Sequence, residues 1–400
     1  MASIIPNFRK KENGTAFPEK KKNRTVRIIL FVLVLVLIAL GAFAWKTGFI
    51  LNKVSGGNAN IFRSLIKSLP GVDDKLLGEK DGRINILLLG MRGENVPGGG
   101  LLADTIMVLS IHPKQGDDDT SKASLISIPR DLYVTVPGKN EKRKVNAVFA
   151  LGEERRHGGG GMEDMRTIIG EVTGLEIPYA VTINFQGFTD LVNALGGIDV
   201  TLNEPFNEGL QFHEPQVCDP YVYTVPTKPM QYQYKYYTRQ DGTKYIAKAY
   251  PLCYNKDEEC GGNFTLPAGN NHLEGIKALC YARARYTSND FERARRQQQV
   301  IQSIKAKALS VGTLTDFSKV NAMLDSLGNN ASTNLEAWEM KRLFEVYQAM
   351  GDVQPKQKVL ENTEEGLLYN PEMTEETGYI LLPRGDNYDR IHELFRNSLN

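Results

Sequence analysis

Histidine and cysteine are scarce in this chain. Five histidines and four cysteines in 400 residues exclude a disulfide-dense scaffold, and no Cys/His spacing fits a zinc module. His112, His157, His213, His272 and His392 form no local pair, so a histidine-based hydrolase has no support. Net charge is lacking too: 48 Lys and Arg against 47 Asp and Glu leave +1, and nothing points to a nucleic-acid partner. There is no GxxxxGK(S/T) phosphate loop and no GxSxG nucleophile elbow. No segment after residue 45 is apolar for long enough to span a bilayer. What remains is ordinary: 41% hydrophobic and 24% charged residues, which excludes a disordered chain and a polytopic membrane protein. The length suits two or three domains, or one large domain with additions.

The one long apolar run is IILFVLVLVLIALGAFAW, residues 28–45. As a helix its eighteen residues rise roughly 27 Å, close to the hydrocarbon thickness of a bilayer. Residues 1–27 carry eight Lys and Arg, among them Arg9, Lys10, Lys11, Lys20, Lys21 and Lys22, against Glu12 and Glu19. The positive-inside rule then keeps this leader in the cytoplasm and places everything after Lys46 outside. The expectation is a single-pass membrane protein with a large extracytoplasmic part. A cleaved signal peptide ending near Ala42-Phe43-Ala44 is the alternative. The outer compartment tolerates disulfides; sequence proximity favours Cys253–Cys260, and Cys280 reads as a core residue.

Residues 46–80 read as a juxtamembrane linker with a short helix at 61–69. Strands are expected at 83–90, 105–112 and 123–128, the first two separated by a glycine-rich loop. The four-glycine run 158–161 reads as a flexible loop before a helix at 162–173. A strand at 179–185, a helix at 188–195 and a strand at 198–202 follow. Strands alternating with helices indicate an α/β fold with a mixed central sheet layered between helices. Residues 204–262, rich in tyrosine, proline and cysteine, break the pattern and read as a surface insertion. A disulfide-braced loop and a sugar-binding face are both open readings of it. Helices are then expected from 273, over 291–309, within 313–347 and over 388–398, with a strand at 379–382.

Chemistry concentrates in three places. The densest is Arg283, Arg285, Asp290, Arg293, Arg295, Arg296 and Gln297. On a helix starting near Asp290, positions 290, 293 and 297 share one face, Arg296 flanks it and Arg295 points away. Guanidinium groups match phosphate oxygens, so this set suits a pyrophosphate; a solvated charged helix is the competing reading. The second is Arg130-Asp131 at the end of the third strand, where open α/β sheets place ligand contacts. The third is Asp104-Thr105, a carboxylate and hydroxyl suited to magnesium, or simply a strand-starting cap.

These elements, in this order, resemble the LytR–CpsA–Psr family of cell-wall enzymes. The matching stretches are INILLLG, ADTIMVLSI, SLISIPRDLYV, KVNAVFALG, YAVTINFQGFTDLVNALGGIDV, LPAGNNHLEGIKALCYARAR and DFERARRQQQV. They span about residues 83–310 around the insertion. The resemblance implies a catalytic domain over 81–312; residues 313–400 carry no motif and read as a helical extension packed on it, closing the domain with helices and an edge strand. It implies transfer of a glycopolymer from a polyprenyl-pyrophosphate carrier to a hydroxyl of peptidoglycan, assisted by magnesium, at the outer face of the cell membrane. It makes Asp104 the metal carboxylate and Arg130, Arg283, Arg285, Arg293 and Gln297 the pyrophosphate set, with Arg296 beside them. Asp131 and Asp290 are the candidates for general base. Two positions depart from the family: Arg92 stands where an aspartate is usual, and Leu102 where an arginine is usual. A polyprenyl-pyrophosphate phosphatase and a non-catalytic lipid-pyrophosphate binder are the rival readings.

Overall fold

The computed structural model describes residues 75–93, 100–116, 119–208, 215–219, 223–239, 241–255, 264–285, 287–308, 328, 330–351, 353–374 and 377–400. The expected leader, the membrane segment 28–45 and the helix 61–69 lie outside these residues. Among the described residues no helix is long and apolar enough to cross a membrane.

Three apolar runs open the fold as an antiparallel meander: β1 (Ile84–Met91), β2 (Thr105–His112) and β3 (Lys122–Ser127). A small hairpin, β4 (Tyr133–Thr135) and β5 (Lys142–Lys144), precedes helices α1 (Val148–Arg155) and α2 (Gly160–Thr173). The chain returns through β6 (Tyr179–Asn184), parallel to β1, into α3 (Phe185–Ala194). Then come β7 (Ile198–Leu202) and the insertion, which holds β8 (Phe206–Asn207), β9 (Gln216–Val217), β10 (Tyr223–Pro226), β11 (Tyr232–Thr238) and β12 (Lys244–Asn255). After β13 (Thr265–Leu266), β14 (Gly269–Leu273) pairs with β7 in a separate two-stranded ribbon. Helices α4 (Gly275–Arg283) and α5 (Asp290–Ala308) follow. The last part of the chain supplies β15 (Ala331–Thr333), α6 (Ala337–Met350), β16 (Lys356–Val359), β17 (Leu368–Tyr369), β18 (Leu382–Pro383) and α7 (Asp389–Asn397).

The central sheet is mixed and six-stranded, in the order β15-β6-β1-β2-β3-β16. Both of its edges come from the C-terminal part of the chain. Expected to close the domain with helices and an edge strand, that part supplies both edge strands, from β15 inside the segment 313–347 expected to be helical and from β16, rather than from the expected strand at 379–382. Side-chain alternation explains the layers. Leu87 and Leu89 of β1 face the core formed with α1, α2 and α7. Ile84 and Ile86 face the opposite side, with Leu335, Val346 and Met350.

Two further expectations change. Gly160 and Gly161 are not in a loop; they form the first turn of α2, pressed against α1. A Cβ on Gly160 would stand 2.4 Å from the Gly152 carbonyl oxygen, and one on Gly161 2.4 Å from that of Phe149. The second half of the glycine run is thus a helix-crossing contact, while Gly158 and Gly159 form the turn before it, with open space around them. The Cys253–Cys260 pairing is also overturned: Cys253 is bonded to Cys218. β9 pairs with β12 so that Gln216 faces Cys253, and the Cys218 amide donates to the Pro251 carbonyl. That register brings the two sulfurs together. Cys280, expected to be a plain core residue, is fully buried and disulfide-bonded as well.

Candidate functional site

A cavity of about 860 Å³ opens between the sheet and helices α3, α4 and α5. One end is polar, lined by Arg92, Asp104, Arg130, Arg283, Arg285 and Arg293. The other is apolar, with Val181, Phe188, Leu191, Ile301 and Ile304 on its walls. The elements explain the arrangement. β1 and β2 end and begin at this edge of the sheet, so Arg92 and Asp104 meet there. α4 ends at Arg283 and α5 begins at Asp290, and the turn between them folds Arg285 back over the first turn of α5. Gln298 holds α5 to the sheet. Its amide nitrogen donates to the Ser127 hydroxyl at 2.8 Å and the Lys358 carbonyl at 2.8 Å.

The charges form two connected clusters. In the first, Arg130 bridges Asp104 at 3.0 Å and Asp290 at 3.2 Å. Asp290 also lies 3.4 Å from both Arg285 and Arg293. Burial alone would raise the Asp290 pKa, but Arg293, Arg130 and Arg285 outweigh it and hold the carboxyl below its ordinary value. Burial pulls Arg130 down, yet Asp104, Asp290 and Asp131 lift its pKa above the ordinary value. Arg293 is pushed down by burial to about 10 and remains a cation at neutral pH. In the second cluster the Asp219 carboxylate, fully buried, takes a 2.9 Å ion pair from Arg92 and stands 4.0 Å from Arg283. The Arg283 guanidinium stacks over Phe185, 4.4 Å from the ring centre, and burial lowers its pKa.

The structure thus gathers Asp104, Arg130, Arg283, Arg285, Asp290, Arg293 and Gln297 around one cavity. It separates two of the expected residues from it. Arg296 points the other way, donating to the Tyr281 and Ala284 carbonyls and the Ser288 hydroxyl while stacking on Phe206. It holds the α4–α5 turn. Asp131 is buried beside Lys144 at 2.8 Å and Arg130 at 3.6 Å, outside the cavity lining. Its carboxylate faces these two cations rather than the cavity. Arg92, singled out as a departure, lines the cavity, whereas Leu102 does not.

Sequence reasoning missed several contributors. Asn146 donates to Asp104 Oδ1 at 3.2 Å; it and Lys144 lie within KVNAVFALG, one of the matching stretches. Asp219, Gln216, Tyr223 and Gln233 come from the insertion, three of them directly onto the cavity wall. The insertion is therefore more than surface. The one available clue was an aspartate next to a cysteine, Cys218-Asp219.

The cavity edge also bears on magnesium. Both hydrogen bonds to Asp104 end on Oδ1, which leaves Oδ2 for a cation. Among the described residues no group of three or more His, Cys, Asp or Glu could hold a metal ion. A single carboxylate fits magnesium only when waters and substrate phosphate oxygens complete its shell.

The family model LytR_cpsA_psr matches residues 63–381. The polyisoprenyl-teichoic acid–peptidoglycan teichoic acid transferase TagU of Bacillus cereus is 27% identical over 313 residues, covering 74% of this chain and 80% of that protein. The protein of the same name from Enterococcus faecalis is 25% identical over 322 residues, covering 78% and 83%. Among solved structures, Bacillus subtilis TagV shares the fold with a TM-score of 0.51 at 19% identity, covering 79% of this chain and 97% of its own. A Streptococcus agalactiae protein does so at 0.53 and 20%, covering 82% and 91%.

Proposed function

The chain belongs to the LytR_cpsA_psr family, and on that premise we propose that it transfers a glycopolymer from a polyprenyl-pyrophosphate carrier to a hydroxyl of peptidoglycan, releasing polyprenyl phosphate. The observation that carries this reading is a single cavity with guanidinium groups at one end and an apolar wall at the other. A lipid pyrophosphate has the same polarity along its length. The similar TagU proteins, named for moving teichoic acid from a polyisoprenyl carrier to peptidoglycan, support it.

In this mechanism the polyprenyl chain lies between the sheet and α3 and α5. Arg283, Arg285 and Arg293 hold the pyrophosphate, with Arg130 and Gln297 at its flank. The acceptor hydroxyl attacks the sugar-linked phosphorus in line, and the bond to the bridging oxygen breaks toward the lipid phosphate. Such transfers depend mainly on positioning and on fixed charge where negative charge develops. Asp290 is the carboxylate on the cavity that is available as proton acceptor. Three guanidinium groups make it a weak base, which suits a loose transition state in which the hydroxyl proton leaves late. Magnesium held by Asp104 would neutralise phosphate oxygens when bound. The apolar segment 28–45 would anchor the domain outside the membrane, in the leaflet of its lipid substrate, and raise their effective concentration.

The test is transfer from a short lipid-pyrophosphate oligosaccharide to peptidoglycan fragments, with and without magnesium. We expect Arg285→Ala to lower kcat by about 100-fold or more. Lipid phosphate released at the same rate without acceptor would favour the phosphatase. Tight lipid binding with neither transfer nor hydrolysis would favour the non-catalytic binder.

A further inference from the structure

The β11–β12 hairpin projects from the insertion with every residue of β11 exposed. Its composition is one-sided: Lys235, Arg239, Lys244 and Lys248 stand against Asp241 alone. In the antiparallel register Lys235 lies directly opposite Lys248. Like charges facing each other across a ladder destabilise it, and no ion pair to either lysine is found among the described residues. The arrangement makes sense if an anion sits between them.

That pair belongs to a continuous face. Alternation along β11 puts Gln233, Lys235 and Tyr237 on one side. Gln233 lines the polar end of the cavity, together with Gln216 and Tyr223. Next outward is the Lys235–Lys248 pair, with the Lys235 ammonium 5.3 Å from the Tyr237 ring centre. Tyr237 packs against Tyr245 across the ladder at 6.4 Å, and Arg239 caps Tyr245 at 5.0 Å. Six steps along the strand, from 233 to 239, reach roughly 20 Å from the cavity rim. The face thus alternates cations with aromatic rings and starts beside the pyrophosphate arginines. Aromatic rings stack on sugar faces, and lysine and arginine pair with phosphate or carboxylate substituents.

We propose that this face, from Gln233 to Arg239 with Lys248 and Tyr245, binds the polyanionic glycan of the donor as it leaves the cavity. The proposal rests on the transferase reading for the direction of the substrate and adds the surface that takes its glycan, the exposed face of the insertion hairpin. Polymer length then matters: only donors longer than one or two repeats reach Lys235 and Tyr237.

The experiment uses the full chain in detergent and a soluble glycerol-phosphate oligomer with no lipid, with neutral dextran as control. The oligomer should bind, more weakly as salt rises, and dextran should not. Lys235→Ala/Lys248→Ala and, separately, Tyr237→Ala should each weaken binding about tenfold. Lys235→Gln/Lys248→Gln, which keeps side-chain bulk on an already solvent-exposed hairpin, should reproduce the lysine loss. In the transfer assay the lysine variant should raise KM for a long donor and leave a single-repeat donor unchanged. Binding that is equal for dextran and oligomer, or unaffected by the lysine variants, overturns the proposal. So does binding of the hairpin to anionic lipid vesicles with no binding to the oligomer. A protein that grips the oligomer through this face yet transfers nothing keeps the glycan track and removes the transferase.

Discussion

At the scale of single residues the site is a set of guanidinium groups held in place by three carboxylates. Asp104 and Asp290 organise Arg130, Arg285 and Arg293; Asp219 organises Arg92 and Arg283. Asp219→Asn keeps the shape but removes the charge that two arginines share. We expect the donor KM to rise about tenfold or more with far-UV circular dichroism unchanged; an unaltered KM would show that Arg92 and Arg283 need no such anchor. Asp290 makes a pH prediction. Its folded pKa is below the ordinary carboxylate value of 3.8, so its ionised form stabilises the fold. That contribution is complete above the unfolded-state pKa and disappears as the pH falls through the lower folded-state value. Asp290→Asn should therefore lower stability near neutrality, where that contribution is complete, and cost progressively less as the pH falls below about 4, so that the acid side of its stability curve is flatter. Chemical denaturation across that pH range would reveal whether the two curves converge.

Arginine clusters of this kind were legible because type and spacing carry the chemistry. The face shared by 290, 293 and 297 survives in the structure, and Gln297 donates to the Ala282 carbonyl at the cavity wall. Asp219 was not legible. Its contact with Arg92 spans 127 positions, and nothing local distinguishes a buried carboxylate from a loop acid. Arg296 failed for the same reason in reverse: helical phase put it near the site face, but the carbonyls ending α4 captured it.

At the scale of elements, long apolar runs announced β1, β2 and β3, because a buried strand must be apolar on both faces. β15 (AST) and β16 (KQKV) are short and polar. They become strands only because the sheet edges beside β6 and β3 need partners, which is tertiary information. The second half of the glycine run was misread because a loop and a close helix crossing both require glycine; Gly158 and Gly159 do form the turn before α2. The crossing makes its own prediction. Gly161→Ala would drive a methyl into the backbone of α1, where no side chain can swing aside. A loss of about 1–3 kcal/mol is expected, read as a lower denaturation midpoint, whereas Gly158→Ala, with open space around it but φ at +81°, should cost less, about 1 kcal/mol. Equal and small effects at both positions would return the segment to the status of a loop.

For the whole molecule, the C-terminal part is what makes the sheet complete and fixes the outer surface of its helical layer. α7 buries Ile391 and Phe395 at 1% and 0% exposure against Met165, Val172 and their neighbours. Arg83, at the start of β1, donates to the Phe395 carbonyl at 2.7 Å and the Ser398 hydroxyl at 3.1 Å. The beginning of the domain is thus fastened to its end, and the site lies on the opposite side of the sheet. Ending the chain after residue 387 would expose one face of α2 and leave the largely buried Arg83 guanidinium without those partners. Deleting one buried phenylalanine alone costs about 3–5 kcal/mol, and a typical domain has only about 5–15 kcal/mol in reserve. The shortened protein should therefore melt at least about 10 °C lower or fail to fold. Arg83→Lys in the full chain, which keeps the charge and loses the fork, should fall between the two. If truncation leaves the melting temperature where it was, the edge strands β15 and β16 hold the sheet and the cavity without α7.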